Sequence, residues 1–280
     1  MPPGMNVRSI RRTSLGLRRC VDGCLFFSDD YAWAGTMIRC AKGQAGGFMK
    51  NAEKSKCYFS KSEIMLWSLS VAAVAIAFAI FDRKNFFALI ASVIGITSLI
   101  FNAKGNPLGQ FLILIFSVLY GIISWRQAYY GEMITYLGMT APMSLIALVM
   151  WIKHPYKGNS AEVKVNGLRK REYLFMLLLT LAITWIFYYI LRYFDTANLI
   201  VSTVSVGTSF AAVYLTARRS EYYAIGYALN DIVLVVLWSI AAAKDIGYIS
   251  VAVCFGAFLV NDLYGYYNWQ KMRKRQSESE

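Results

Sequence analysis

The sequence predicts an all-α polytopic membrane protein with eight transmembrane helices, and three observations support this fold class. The chain has 280 residues, 57% of them hydrophobic, and a mean hydropathy of +0.44. Eight apolar segments, most of them near the roughly 20 residues that cross a bilayer, follow one another with short connections. A backbone in lipid must satisfy its own hydrogen bonds, so we expect these segments to be helices rather than strands.

The segments are predicted to form one extra helix, a three-helix unit, a linker helix and a second three-helix unit. The extra helix is placed at 64–81, the first unit at 86–152, the linker helix at 173–191 and the second unit at 198–268. Basic tails are predicted at both ends, at residues 1–63 and 269–280. The longest connection, 153–172, is polar and basic.

The first 48 residues are basic and lack the apolar core of a signal peptide. One interpretation is a disordered cytoplasmic tail. The other is that translation starts at Met49, because the codons for Ala45–Phe48 can read GCAGGAGGTTTT, which contains a ribosome-binding sequence. The nucleotide sequence of the gene distinguishes the two, since the second interpretation requires AGGAGG-like codons there.

The distribution of positive charge predicts the orientation of the chain. With eight spans and the N-terminus inside, 24 of the 29 Lys and Arg residues fall on the inner side and five on the outer side. Inner loops of membrane proteins are enriched in Lys and Arg, so both termini are predicted to be cytoplasmic. Because the formal charge of +13 lies in tails and loops rather than on one face of a folded domain, nucleic acid is not an expected partner.

Weak internal similarity links the two three-helix units. Trp125 and Trp238 end their helices, and Trp151 and Trp269 each close a unit and are followed within two residues by lysine. The units are offset by four helices, an even number, so they point the same way through the membrane. This predicts two parallel repeats in a 3+1+3 arrangement that resembles SWEET-type carriers, with a ligand held between the repeats.

Signatures of catalysis and of metal binding are not found in the sequence. GxxxxGK[ST], GxSxG, HExxH and CxxC are all missing, and the single histidine, His154, stands at a predicted membrane edge. We therefore expect neither an enzyme nor a metal or cofactor site.

The strongest candidate site is the Asn230–Asp231 pair, near the middle of the predicted helix 221–243. An ionisable group at that depth costs about 2.5–3.5 kcal/mol on insertion scales, so it usually faces a partner or a watery cavity. Tyr223, Tyr227 and Trp238 share a helical face with Asn230.

Further candidates lie on other helices. The last helix contributes Asn261, Asp262 and Tyr264, and the first unit contributes Gln110, Tyr120 and Trp125. Aromatic rings, amides and a carboxylate together suit a small planar ligand that is partly polar or cationic. The alternative is that these residues only bond helices to one another, at about 0.6 kcal/mol each on average.

Several separated motifs resemble the PnuC family, which are bacterial carriers of nicotinamide riboside. They are YGEM at 130–133, LGMTAPM at 137–143, ARRSE at 217–221 leading to Asn230, and NDLYGYYNW at 261–269. The resemblance implies uptake by facilitated diffusion through a bacterial plasma membrane, made one-way when a cytoplasmic kinase phosphorylates the riboside for NAD synthesis. It leaves open whether the carrier forms a homo-oligomer.

One part of the family pattern differs here. The carriers typically show E-x-W-x-x-W-x-x-x-N, whereas this chain has Glu221, Tyr223, Gly226 and Asn230 at those positions. Thiamine, riboflavin and deoxynucleosides, which related members are thought to carry, are therefore alternative substrates. Asp231 favours a cationic one, nicotinamide riboside or thiamine. A non-transporting membrane receptor or scaffold is the alternative of a different class.

Overall fold

The computed structural model describes residues 58–83, 85–126 and 130–279, and these residues contain eight helices long and apolar enough to cross a membrane. They are α1 (Lys61–Phe81), α2 (Phe86–Ala103), α3 (Pro107–Arg126), α4 (Tyr130–Lys153), α5 (Lys170–Tyr193), α6 (Leu199–Ala217), α7 (Tyr223–Ala242) and α8 (Ile249–Glu278, after a 3₁₀ turn at Ile246–Tyr248). The predicted all-α fold with eight spans is confirmed. Most of the predicted N-terminal tail, with the proposed start at Met49, lies outside the described residues.

The helices pack in the same order in both three-helix units. The middle helix of each unit, α3 or α7, packs against the other two helices of its own unit. The units meet where α2 packs against α8 and where α4 packs against α6. Outside this core, α1 packs on α8 and α2, and α5 packs on α6.

A buried carboxylate near the start of the first helix bonds that helix to two helices of the core. Glu63 closes a capping box with Ser60 at the start of α1, which satisfies free backbone N–H groups there. The same carboxylate accepts hydrogen bonds from Lys104 Nζ at 3.1 Å and from the Tyr264 hydroxyl at 3.0 Å. These bonds join α1 to the end of α2 and to α8.

Helix α4 contains a π-helical segment, Tyr136–Thr140, between two α-helical parts. Pro142 follows it and has no N–H to offer Gly138, four residues earlier, so a regular α-helix would lose a hydrogen bond here. The wider turn is supported by Thr140, whose hydroxyl donates to the carbonyl of Thr135 at 3.3 Å. The π segment brings Tyr136 and Thr140 to the interior of the protein.

The structure also differs from prediction at two polar segments. The loop after α4 contains an antiparallel hairpin, β1 (Pro155–Tyr156) paired with β2 (Asn159–Val163). Helix α8 continues through the predicted tail to Glu278, because residues 270–278 contain neither Gly nor Pro and their side chains bond the hairpin. Gln276 Nε2 donates to Glu162 at 2.8 Å and to the carbonyl of Val163 at 3.1 Å.

The end of the hairpin and the residues after it bridge matching turns of the two units. Val163 N donates to Gly105 O after α2, and Asn166 N donates to Arg219 O after α6, each at 2.9 Å. Gly105 and Arg219 both have left-handed backbones, with φ of 67° and 58°. These two turns, the loop 154–169 and the end of α8 therefore lie at one end of the helices, which we call the basic end.

Candidate functional site

A small cavity lies between the two three-helix units, around the middle of α7. The first unit contributes Leu99, Asn102, Ile113, Phe116, Tyr136 and Thr140, and the second contributes Ser209, Val213, Tyr227, Asn230, Asp231, Phe255, Phe258 and Asp262. We call it the central cavity. Its volume is about 40 Å³, room for roughly three waters at 10–15 Å³ each. A vitamin-sized ligand fits only if the helices separate.

Asn230 is held in one orientation by three hydroxyl groups of α6. Its Oδ1 accepts hydrogen bonds from Thr208 at 2.8 Å, Ser209 at 2.9 Å and Ser205 at 3.4 Å. In the described part of the chain, no protein group accepts a hydrogen bond from its Nδ2. Because Asn230 lines the central cavity, the fixed amide offers this N–H₂ donor to a ligand.

The second polar feature is a pair of carboxyl groups on α7 and α8. Asp231 and Asp262 are only 3% and 4% exposed, and both line the central cavity. Asp231 Oδ2 is buried and has no partner among the described residues. The cavity therefore presents an acidic wall beside the donor of Asn230.

Aromatic rings separate the central cavity from the end opposite the basic end. Tyr120 and Tyr136 have ring centroids 4.5 Å apart, and Phe116 lies 5.6 Å from Phe258, which in turn lies 5.6 Å from Phe255. A second pocket near that end is lined by Tyr120, Phe116 and Phe255 as well. The same aromatic side chains thus stand between two cavities along one path.

A second aromatic cluster lies between the cavity and the basic end. Tyr223 packs at 4.7 Å from Trp269, which is 5.4 Å from Trp151. The two indoles also bond across the units: Trp151 Nε1 donates to Thr216 O at 2.9 Å, and Trp269 Nε1 donates to Asn102 O at 2.8 Å. Each tryptophan therefore ties its own unit to the first helix of the other.

Two cationic groups at the basic end lie beside this cluster. Arg273 bonds Glu221, which is otherwise buried, and Arg218 Nη2 bonds Glu172 at 2.8 Å. Burial and the adjacent charge of Arg218 lower the pKa of the Arg219 guanidinium.

The structure brings some predicted site residues together and places others elsewhere. Asn230, Asp231, Asp262 and Tyr227 line the central cavity. Tyr223 belongs to the cluster toward the basic end. Tyr120 lines the pocket near the opposite end, as does Trp238, whose indole also borders a third pocket with Glu132 and Lys244.

Four other predicted site residues do not line the central cavity. Asn261 Nδ2 donates to Ser70 Oγ of α1 at 2.8 Å, and the Tyr264 hydroxyl bonds Glu63. Gln110 Nε2 donates to Asn102 Oδ1 at 2.9 Å, which places Gln110 one residue behind the cavity wall. Trp125 is 61% exposed and lies on the outer surface of the helices.

Several residues that support the site from neighbouring helices carry no clear signal in the sequence. Asn102, Tyr136 and Thr140 line the cavity, but Asn102 stands in an apolar run and the other two lie within the π segment, where helical periodicity gives no signal. Thr208, which orients Asn230, is one of many small polar residues in α6. Within the described ranges no group of three His, Cys, Asp or Glu side chains is arranged to hold a metal ion.

Known proteins resemble this chain over most of its length. The family model described as nicotinamide mononucleotide transporter matches residues 85–271. The nicotinamide riboside transporter PnuC of Neisseria mucosa is 29% identical over 218 residues, which cover 76% of this chain and 82% of that protein. PnuC of Haemophilus influenzae is 26% identical over 193 residues, covering 68% and 82%.

A crystal structure of the vitamin B3 transporter PnuC has the same fold. It superposes with a TM-score of 0.68 at 26% identity, covering 78% of this chain and 94% of that one. The match of the family model alone spans well over half of the chain, including both three-helix units and α5. The protein is therefore a multi-pass membrane protein that belongs to the nicotinamide mononucleotide transporter family, the PnuC-type carriers.

Proposed function

We propose that this carrier takes up nicotinamide riboside by facilitated diffusion, with the central cavity as its binding site. The observation that carries the proposal is the fixed Asn230 amide beside the carboxyl pair, in a cavity between the two units. Substrate sites of repeat-built carriers lie at such an interface near mid-membrane. The named function of the similar carriers supports this substrate.

The cavity residues match the chemical groups of that ligand. Asn230 Nδ2 would donate to the carboxamide oxygen or to a ribose oxygen, while Asp231 and Asp262 would face the positively charged ring. Tyr136 and Tyr227 would offer ring faces, and attraction between a cation and such a face contributes about 0.5–2 kcal/mol.

The departures from the family pattern favour a cation among the alternative substrates. Gly226 lies against α6, where a Cβ would come within 3.0 Å of Ala212 Cα, so no aromatic group can occupy this place. Tyr223 packs with Trp151 and Trp269 rather than in the cavity. With fewer aromatic contacts, charge has a larger share in recognition, and thiamine is the second candidate because it too is a cation.

We also propose the sidedness and the repeat architecture. The basic end would face the cytoplasm of a bacterial cell, with both termini there, since Lys and Arg are enriched on inner loops. The reciprocal bonds of Trp151 and Trp269, and the matched turns at Gly105 and Arg219, support two parallel repeats in a 3+1+3 core with α1 added. A cytoplasmic riboside kinase would make uptake one-way.

Uptake by proteoliposomes tests this function. Labelled nicotinamide riboside should enter vesicles that contain the purified protein, and unlabelled thiamine should compete more strongly than riboflavin. Asn230→Ala should lower the initial rate roughly 5- to 150-fold, because losing a buried hydrogen bond worth about 1–3 kcal/mol weakens binding by that factor. Leu229→Ala is the matched control, since Leu229 is the preceding residue and is 56% exposed. Equal rates for the two variants would contradict the assignment of the site.

A further inference from the structure

Glu132, near the start of α4, is a buried acidic residue that does not belong to the central cavity. It is only 5% exposed, and it lines a cavity of about 30 Å³ at the end opposite the basic end, which we call the Glu132 pocket. The other polar or aromatic side chains that line this pocket come from α6, α7 and the connections before α6 and after α7: Thr196, Asn198, Ser202, Trp238 and Lys244.

The carboxyl group of Glu132 forms neither a hydrogen bond nor an ion pair with any of the described residues. Every other glutamate in the described ranges pairs with a lysine or an arginine, namely Glu63, Glu162, Glu172, Glu221 and Glu278. Lys244 lines the same pocket, but its side chain is exposed and makes no ion pair with Glu132 within those ranges. An ionisable group in a membrane span is costly without a counter-ion and usually faces a partner or a watery cavity. The Glu132 pocket leaves a place for a counter-ion that the described residues do not fill.

The wall of the Glu132 pocket offers two further groups to a ligand. The Thr196 hydroxyl is buried and has no hydrogen-bond partner among the described residues. Thr196 lies close to α4 because Gly131 has no side chain: a Cβ there would be 2.5 Å from Thr196 Cγ2. The indole of Trp238 forms the wall from α7, and a cation is attracted to the face of such a ring. A carboxyl group, a hydroxyl and an indole together suit a planar organic cation that carries hydroxyl groups.

The Glu132 pocket and the central cavity follow one another along the same two helices. On α4, Glu132 is one helical turn from Tyr136, which lines the central cavity. On α7, Trp238 lies two helical turns, about 10 Å, from Asp231 on the same face of the helix. A ligand that enters from the end opposite the basic end therefore meets the Glu132 pocket before it meets the central cavity.

We propose that the Glu132 pocket is a second binding site for a planar organic cation, occupied on the way to the central cavity. The proposal rests on the proposed function, because the cationic substrate is the ligand that passes through both sites. The Glu132 carboxylate pairs with the positive ring, Trp238 packs against the ring face, and Thr196 bonds a hydroxyl group of the ligand. A volume of about 30 Å³ requires α4, α6 and α7 to separate when the ligand enters, as at the central cavity. The second site couples no other solute, so transport remains facilitated diffusion.

The reactivity of a cysteine in the pocket tests this site with a simple cation. Ser202→Cys places a thiol in the Glu132 pocket, and the purified full chain is treated with a methanethiosulfonate that carries either a trimethylammonium or a sulfonate group. Peptide mass spectrometry measures the rate of modification at residue 202 separately from the native cysteines. We expect Glu132→Gln to slow the cationic reagent roughly tenfold or more, because it removes the charge that attracts the cation away from water. The anionic reagent should not be slowed.

Two further substitutions at the same end serve as controls of the labelling. Asp195→Asn changes an exposed acidic residue on the connection after α5 and should leave both rates unchanged. Lys244→Gln should act in the opposite direction to Glu132→Gln and raise the rate of the cationic reagent about two- to fivefold, the effect of removing one exposed like charge.

Equilibrium binding of labelled nicotinamide riboside tests the same pocket without the new cysteine. Asp231→Asn weakens the central cavity under the proposed function, and a weaker saturable binding should remain in this variant. Adding Glu132→Gln should lower the affinity of the remaining binding roughly tenfold or more. Adding Asp195→Asn instead should not change it.

The outcomes separate the second site from the proposed function. If the wild type binds and takes up the riboside, but Glu132→Gln changes neither the cationic labelling nor the remaining binding, the second site is wrong and the proposed function stands. Labelling that depends on Glu132 without any binding of the riboside would support a cation site and overturn the riboside as substrate. If neither reagent modifies Ser202→Cys, the pocket does not open to ligands and the second site is wrong.

Discussion

The two three-helix units have matching turns and tryptophan contacts at the basic end, but they carry different polar side chains near the middle of the helices. Gly105 and Arg219 occupy the same left-handed position in matching turns, and Trp151 and Trp269 make reciprocal bonds across the units. When the units are aligned on these residues, Ser117 of the first unit corresponds to Asp231 of the second, and Ser144 corresponds to Asp262.

This difference separates the parts that position the helices from the parts that recognise a ligand. Ser117 satisfies its hydroxyl locally, by donating to the carbonyl of Ile113 at 2.8 Å in its own helix. Asp231 instead presents a buried oxygen to the cavity. The charge that we assign to substrate recognition in the central cavity is therefore supplied by one unit, whereas the aromatic and tryptophan contacts are supplied by both.

The largest effect is expected where α7 approaches α6 in the second unit. Gly226→Trp, which restores the family's tryptophan, should destabilise the protein by about 3 kcal/mol or more, because even a Cβ would lie 3.0 Å from Ala212 Cα. Thermal unfolding of the detergent-solubilised protein measures this. Leu229→Trp on the exposed face of the same helix should be tolerated. A fully stable Gly226→Trp variant would mean that α6 and α7 are not in close contact.

The reciprocal indole bonds predict equal effects in the two units. Trp151→Phe and Trp269→Phe keep an aromatic ring but leave Thr216 O or Asn102 O without its donor, which should cost about 1–3 kcal/mol of stability in each case. The exposed Trp185, changed to Phe, is the control and should show no loss of thermal stability. A loss in only one of the two buried variants would contradict the matched architecture.

The number and order of the helices could be predicted from the sequence, because each transmembrane helix requires an apolar segment long enough to cross the bilayer and such segments are visible in the sequence. The β hairpin could not be predicted, since its pairing depends on Val163, buried among residues of α4, α6 and α8. The π segment depends on how the chain responds to Pro142, which does not dictate one local geometry.

The site was harder to predict than the fold. The sequence did identify Asn230 and Asp231 as site residues, because an ionisable side chain in the middle of a membrane span is costly and usually faces a partner or a watery cavity. The pattern of one helix does not show which neighbour each side chain meets, however. Asn261 bonds Ser70 of α1, and Gln110 bonds Asn102 rather than lining the cavity itself. The hydroxyls that orient Asn230 were invisible because α6 is rich in Ser and Thr throughout.

The smallest effect on stability is expected at the matched turns, where glycine and arginine adopt the same backbone. Gly105→Ala should cost about 1–2 kcal/mol, because an L-residue is disfavoured at φ 67°. Arg219→Gly relieves the same conformational cost and should leave stability within about 1 kcal/mol of the wild type. Thermal unfolding of both variants checks the contrast, and equal losses at the two turns would contradict it.

The claim that the second unit carries ligand recognition in the central cavity is tested most directly by exchanging residue types at the matched positions. The measurement is the initial rate of nicotinamide riboside uptake by proteoliposomes that contain the wild type, Asp231→Ser or Ser117→Ala. Asp231→Ser, which gives the second unit the residue of the first, should lower the rate at least tenfold, while Ser117→Ala should retain the wild-type rate. Equal rates for Asp231→Ser and the wild type would contradict the claim.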